Sequence, residues 1–246
     1  MNPKSVLITG ANRGIGLEFV KQFLPLKPTY LFATCRNPDA ASDLQELQKT
    51  NSNIHILKYD VSKHADHDEL AKSVSDILKD QGLNLLVNNA GVLTRISALN
   101  DVTAEMMMND YNTNCIGPLL CAKALMPLLE KAAEDCKDTP VSCSRAAIIN
   151  ISTKVASIAD NAKGGIYPYR ASKVALNMVS KNLSIEFGSK GILIALLHPG
   201  HVKTDMGVAG NTTTLESVSG MMKCMDSFTE QDQATFRDFK NEIIPW

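Results

Sequence analysis

Thr9-Gly10-Ala11-Asn12-Arg13-Gly14-Ile15-Gly16 closes a β-rich run over residues 5–9 and leads directly into an amphipathic stretch. Glycines here let the turn tighten and let the backbone approach a pyrophosphate, which then rests on the free N–H groups and positive dipole end of the following helix. Strand, glycine loop and helix in that order predict a dinucleotide site at the first β-to-α turn. The spacing Gly-x-x-x-Gly-x-Gly differs from the common Gly-x-Gly-x-x-Gly, and the loop lacks the Gly-Lys-Ser/Thr ending of a P-loop.

Outward from this loop, β-rich runs alternate with amphipathic stretches, the pattern of βα units wound around a parallel sheet. Strands are predicted over 5–9, 30–35, 54–59, 83–87, 146–151 and 193–198, with a weaker seventh at 236–239. Helices are predicted over 15–24, 39–48, 66–79, 114–133 and 169–187, the last with an apolar face marked by Val174, Met178 and Leu183. The expected fold is α/β, a single doubly wound Rossmann-type domain spanning 1–246 with helices on both faces of a parallel sheet.

Residues 134–144 read as a surface loop. Residues 207–225 follow the sixth strand, where the ligand crevice of such a sheet opens, and form a candidate substrate lid. Met206, Val208, Leu215, Met221, Met222 and Met225 either line an adaptable apolar pocket or, at roughly helical spacing, belong to the core.

With 246 residues, 44% of them hydrophobic, the chain has material for one large core. A formal net charge of −1 gives no electrostatic ground for binding nucleic acid or an anionic membrane. The six cysteines lack C-x-x-C spacing, so they read as reduced structural thiols and no metal site is expected. Neither a signal-peptide pattern nor an apolar run approaching the ~20 residues of a membrane span is seen, and a cytoplasmic protein is expected.

Tyr-x-x-x-Lys occurs twice, at Tyr59 and Lys63 and at Tyr169 and Lys173. An ammonium beside a phenol, which otherwise titrates near ~10, makes it a better acid. The spacing alone does not choose between the pairs, since residues at i and i+4 share a helix face whatever their role. After the second strand, Thr34-Cys35-Arg36-Asn37 offers no carboxylate for the ribose of NAD. Arg36, with Arg13 from the glycine loop, suits the 2′-phosphate of NADP(H), the cofactor expected here.

Four motifs in order carry a resemblance: the glycine loop, Asn88-Asn89-Ala90-Gly91, Tyr169-x-x-x-Lys173, and Pro199-Gly200-His201-Val202-Lys203-Thr204. Over nearly its whole length the chain resembles the single-domain branch of the short-chain dehydrogenase/reductase family. The runs at 145–150 and 197–206 are most similar to sniffer-type NADPH-dependent carbonyl reductases.

The resemblance implies that Gly10, Asn12, Arg13, Gly14, Ile15 and Gly16 cradle the cofactor, that Asp60 and Val61 hold the adenine, and that Asn88, Ala90 and Gly91 close the site's floor. It also implies that Pro199, Gly200, Val202 and Thr204 meet the nicotinamide end, and that Tyr59 and Lys63 flank an adenine contact. Tyr169 and Lys173 become the catalytic pair, also contacting cofactor, with Asn114 holding a water linked to the lysine. The family's catalytic serine aligns with Thr153, in Asn150-Ile151-Ser152-Thr153, and Ser152 becomes the donor if the alignment slips. Thr153 keeps the hydroxyl while its methyl restricts rotamers.

The reaction implied is reduction of a small-molecule carbonyl by hydride from NADPH, with a homo-oligomer, dimer or tetramer, as the family's usual assembly. The alternative is an NADP(H)-binding regulatory or redox-sensing protein with little turnover.

Overall fold

Branched aliphatic residues fill both faces of the strand runs, as strands covered by helices on each side require. In the computed structural model, which describes residues 1–96, 98–207 and 209–246, these runs become β1 (Ser5–Ile8), β2 (Tyr30–Cys35), β3 (Ile54–Lys58), β4 (Leu85–Asn88), β5 (Ala147–Ile151), β6 (Leu193–His198) and β7 (Phe236–Asp238). Among the described residues they form one parallel sheet in the order β3-β2-β1-β4-β5-β6-β7. Winding direction reverses between β1 and β4, so the crevice of this doubly wound Rossmann-type sheet opens at their carboxyl ends.

The helices are α1 (Gly14–Phe23), α2 (Ser42–Thr50), α3 (Asp66–Leu78), α4 (Ala104–Tyr111), α5 (Gly117–Asp135), α6 (Tyr167–Phe187) and α7 (Thr214–Ser227). Alternation along β1 divides the core. Val6 and Ile8 pack with Phe19 and Phe23 of α1 and Met221 and Met225 of α7, while Leu7 packs on the other face with Val74 of α3 and Leu125 and Leu129 of α5. All six cysteines are free and five are buried. No helix among the described residues is long and apolar enough to cross a membrane.

Three expectations change. The helix predicted over 114–133 begins ten residues earlier: α4 runs through a π turn, Asn112–Ile116, into α5. The candidate lid over 207–225 divides, because from Thr214 onward it is α7, whose Val218, Met221, Cys224 and Met225 are buried in the core. Only the loop before α7 is left to cover a substrate, and Val208 within it lies outside the described residues.

The apolar face expected on α6 is the third. Met178 is 62% exposed, and the buried face instead carries Ser172, Lys173, Asn177, Ser180 and Ser184 beside Leu176 and Leu183. Three of those polar groups are matched to the end of β5. Asn150 donates to Ser180 Oγ at 2.7 Å, Lys173 Nζ to the Ile151 carbonyl at 2.8 Å, and Ser152 Oγ to Asn177 Oδ1 at 2.6 Å.

Candidate active site

The glycine loop leaves β1 at Gly10 and Gly14, both at positive φ (65° and 56°), where an L side chain is strained. At Gly16 a Cβ would lie 2.2 Å from the Gly10 carbonyl oxygen and 2.6 Å from Asn89 Nδ2, so no larger residue fits. Arg13 provides no side-chain cap for α1, and the first turn holds no acidic residue. The uncapped N–H groups and glycine walls fit a pyrophosphate. Asn12 and Ile15 are partly exposed beside them.

Asn89 is the brace that sequence reasoning passed over between its two chosen neighbours. Its Nδ2 donates to the carbonyls of Thr9 (2.9 Å) and Gly10 (3.2 Å), while Thr9 Oγ1 accepts from the N–H groups of Asn89 and Ala90. Asn88 instead points across the sheet, donating to Asn150 Oδ1 at 2.9 Å. Gly91 stands against the site: a Cβ there would lie 3.0 Å from Asn114 Oδ1 and 3.8 Å from Lys173 Nζ.

After β3, where the resemblance implies the adenine, Asp60 Oδ1 accepts from Ser62 N and Oγ, and Val61 is buried against Gly117. Tyr59 is buried with its hydroxyl 2.8 Å from His67 Nδ1, and burial pushes its phenol far up, while Lys63 is exposed. That pair is therefore split between core and solvent. Arg36 is exposed after β2, and Arg13 pairs with Asp205 at 2.5 Å, both side chains largely exposed.

The loop after β6 closes the other side. Gly200 needs its φ of 84° and its bare Cα, since a Cβ would meet the Phe239 ring at 2.7 Å. Pro199 accepts at its carbonyl from Ser217 Oγ (2.6 Å), Val202 is buried, and the Thr204 methyl approaches Gly14.

Thr153, Tyr169 and Lys173 meet at the carboxyl end of β5. Thr153 is 8% exposed, Lys173 5%, and Tyr169 is partly open to the cleft. Burial pushes the Tyr169 phenol up to about 12, the Thr153 hydroxyl pulls the other way, and the Asp110 carboxylate raises it further. Burial also lowers Lys173 to about 8, against the raising influence of Cys115 and Asp110. Desolvation is the largest influence on both groups, and the Lys173 ammonium donates to the Ile151 carbonyl.

Ser152, the competing hydroxyl, turns into the core toward Asn177. The long interval before Tyr169 is taken up by Gly164, Gly165 and Ile166, all at positive φ. Arg170 ties this bulge down, donating from Nε to the Gly164 and Gly165 carbonyls and from Nη1 to the Val155 carbonyl.

Asn114 is fully buried in the π turn, and its side chain is fully engaged. Oδ1 accepts from Val92 N at 2.9 Å, and Nδ2 donates to the Val92 carbonyl (2.9 Å) and Ser172 Oγ (3.0 Å). Its main-chain carbonyl lacks the N–H that an α-helix would return to it, because Pro118 stands four residues on.

Residues 4–214 match the family model described as short chain dehydrogenase. An uncharacterized oxidoreductase of Schizosaccharomyces pombe is 31% identical, over 99% of this chain and 98% of that protein. Among solved structures, the carbonyl reductase Sniffer of D. melanogaster superposes with a TM-score of 0.97 at 39% identity, covering 99% of this chain and 100% of that one. An NADPH-bound carbonyl reductase from chicken fatty liver gives 0.95 at 41% identity, with both chains fully covered. Matched by the family's model over residues 4–214, the chain belongs to the short-chain dehydrogenase family of oxidoreductases.

Proposed function

We propose that this oxidoreductase reduces the carbonyl group of an aldehyde, ketone or quinone with NADPH. The observation that carries the reading is the convergence of Thr153, Tyr169 and Lys173 beside Gly91, at the point where the sheet's crevice opens. NADPH, held by the glycine loop with Arg13 and Arg36 toward its 2′-phosphate, supplies the hydride. The absence of a carboxylate after β2 supports this cofactor, as does the NADPH in the chicken liver relative.

Thr153 and Tyr169 donate hydrogen bonds to the carbonyl oxygen, stabilising the charge that grows there as its carbon is reduced. A phenol held near 12 is neutral at pH 7, which suits a proton donor. Lys173, still mainly cationic at that pH, holds the nicotinamide ribose and supports the field at the oxygen. Replacement protons reach Tyr169 through Lys173 and a water on the Asn114 carbonyl.

Purified protein with NADPH and a panel of aldehydes, ketones and quinones, followed by nicotinamide absorbance, tests the reading. Turnover abolished in Tyr169→Phe is the expected result. No wild-type turnover, with tight NADPH binding, would instead favour a regulatory or redox-sensing protein.

A further inference from the structure

Asp110, near the end of α4, is completely buried, yet among the described residues it takes part in no ion pair. A desolvated carboxylate is costly unless hydrogen bonds and an opposite charge compensate it. The hydrogen bonds come mainly from Thr94: its N–H donates to Oδ2 at 3.1 Å and its hydroxyl to Oδ1 at 2.7 Å, with Asn109 Nδ2 adding a longer contact of 3.3 Å. No ion pair among the described residues meets it, but α4 packs against α6, where the buried cation is Lys173.

Asp110 and Asn114 lie four residues apart, and they grip the strip after β4 at Thr94 and Val92. This strip begins at Gly91, against Lys173, and continues to Arg95, whose guanidinium donates to the Met206 carbonyl in the loop after β6. One carboxylate therefore touches the segment that joins the cofactor floor to the substrate side.

We infer that Asp110 is a positioning residue: its carboxylate is the buried counter-charge of Lys173 and the anchor of the strip over residues 91–95. The assignment rests on the reductive reading above. The groups acting on the pair are Asp110 from α4, the Thr153 hydroxyl after β5, and the Cys115 thiol from the π turn, itself hydrogen-bonded by Tyr111. Of these Asp110 is the carboxylate, and its negative charge favours the protonated forms of both Tyr169 and Lys173.

The test is kcat/KM for carbonyl reduction with NADPH as a function of pH. Its alkaline limb reports loss of the proton donor. Loss of turnover in Tyr169→Phe first secures the reductive reading, so an unchanged profile in the next variants counts against Asp110 alone. In Asp110→Asn, or Asp110→Ser if the amide does not fold, the alkaline limb is expected to move down by about one pH unit. Thr94→Val keeps the charge but loosens the strip, so the limb stays in place while KM for the carbonyl rises about tenfold.

A limb in the neutral variants that superposes on wild type overturns the counter-charge, and wild-type KM in Thr94→Val overturns the anchor. If neither neutral variant folds while Thr94→Val is stable, the carboxylate is structural and the assignment falls.

Discussion

Removing one hydroxyl at a time from Ser152 and Thr153 should separate stability from chemistry, although the two residues are adjacent. Ser152 Oγ donates to Asn177 Oδ1 at 2.6 Å with both residues buried, and Asn177 Nδ2 already has no partner. Ser152→Ala therefore leaves a whole buried amide unsatisfied, at a cost of about 1–3 kcal/mol. For a chain of this size a loss of about 2 kcal/mol lowers Tm by about 4–8 °C. Turnover should change little, because the Ser152 hydroxyl faces α6.

The Thr153 hydroxyl makes one long internal bond, from Val155 N at 3.4 Å, so Thr153→Ala should cost under about 1 kcal/mol in stability. It removes a donor to the developing oxyanion, so kcat should fall about 10²–10³-fold with KM nearly unchanged. Thr153→Ser should restore most of that loss. Thermal melts and steady-state kinetics on the same preparations read both effects. If Ser152→Ala carries the kinetic loss while Thr153→Ala does not, the roles drawn from these bonds are exchanged and the reasoning fails.

Gly16→Ala drives a methyl into the Gly10 carbonyl and Asn89, and NADPH affinity measured by fluorescence titration should drop about tenfold or more. Wild-type affinity would show that the loop yields. Arg13→Ala and Arg36→Ala should each weaken NADPH by about 10- to 100-fold while sparing NADH; equal effects on both cofactors would remove them from the 2′-phosphate. Burial holds His198 down at about 4, and its Nδ1 has no partner. Between pH ~6.5 and this value the unfolded chain takes up a proton that the folded chain refuses, so stability should fall by up to about 3 kcal/mol as pH drops through that window. His198→Asn should flatten that part of a stability-against-pH curve, and an unaltered slope would exclude His198 as its source.

The sheet and the glycine loop could be read from the chain because each is written locally, as strands of three to six residues and a turn whose glycines have steric reasons. The α4–α5 junction was harder. Asn109, Asp110 and Asn112 have the composition of a solvated face, and nothing local announces that Asp110 will be closed off by Thr94, sixteen residues back. The π turn is equally silent, since it shows in backbone bonding and not in residue type. On α6, periodicity identified the helix and its buried Leu183 but misplaced Met178, because the buried side also carries polar groups whose partners lie at the end of β5. Thr153 was separable from Ser152 only once Asn177 had claimed one of the hydroxyls.

The contacts between β5 and α6 also set a height. An apolar helix face can slip along a sheet by a turn, 5.4 Å, and still find grease to rest on. A face keyed at positions 173, 177 and 180 to Ile151, Ser152 and Asn150 loses every partner if it does. The elevation of the Tyr169 phenol over the sheet is thus gauged from underneath, on the side away from the cleft mouth. Loops around the mouth can then be lengthened or exchanged to admit other substrates while the proton donor keeps its station, which makes this scaffold suited to regrafting of its rim.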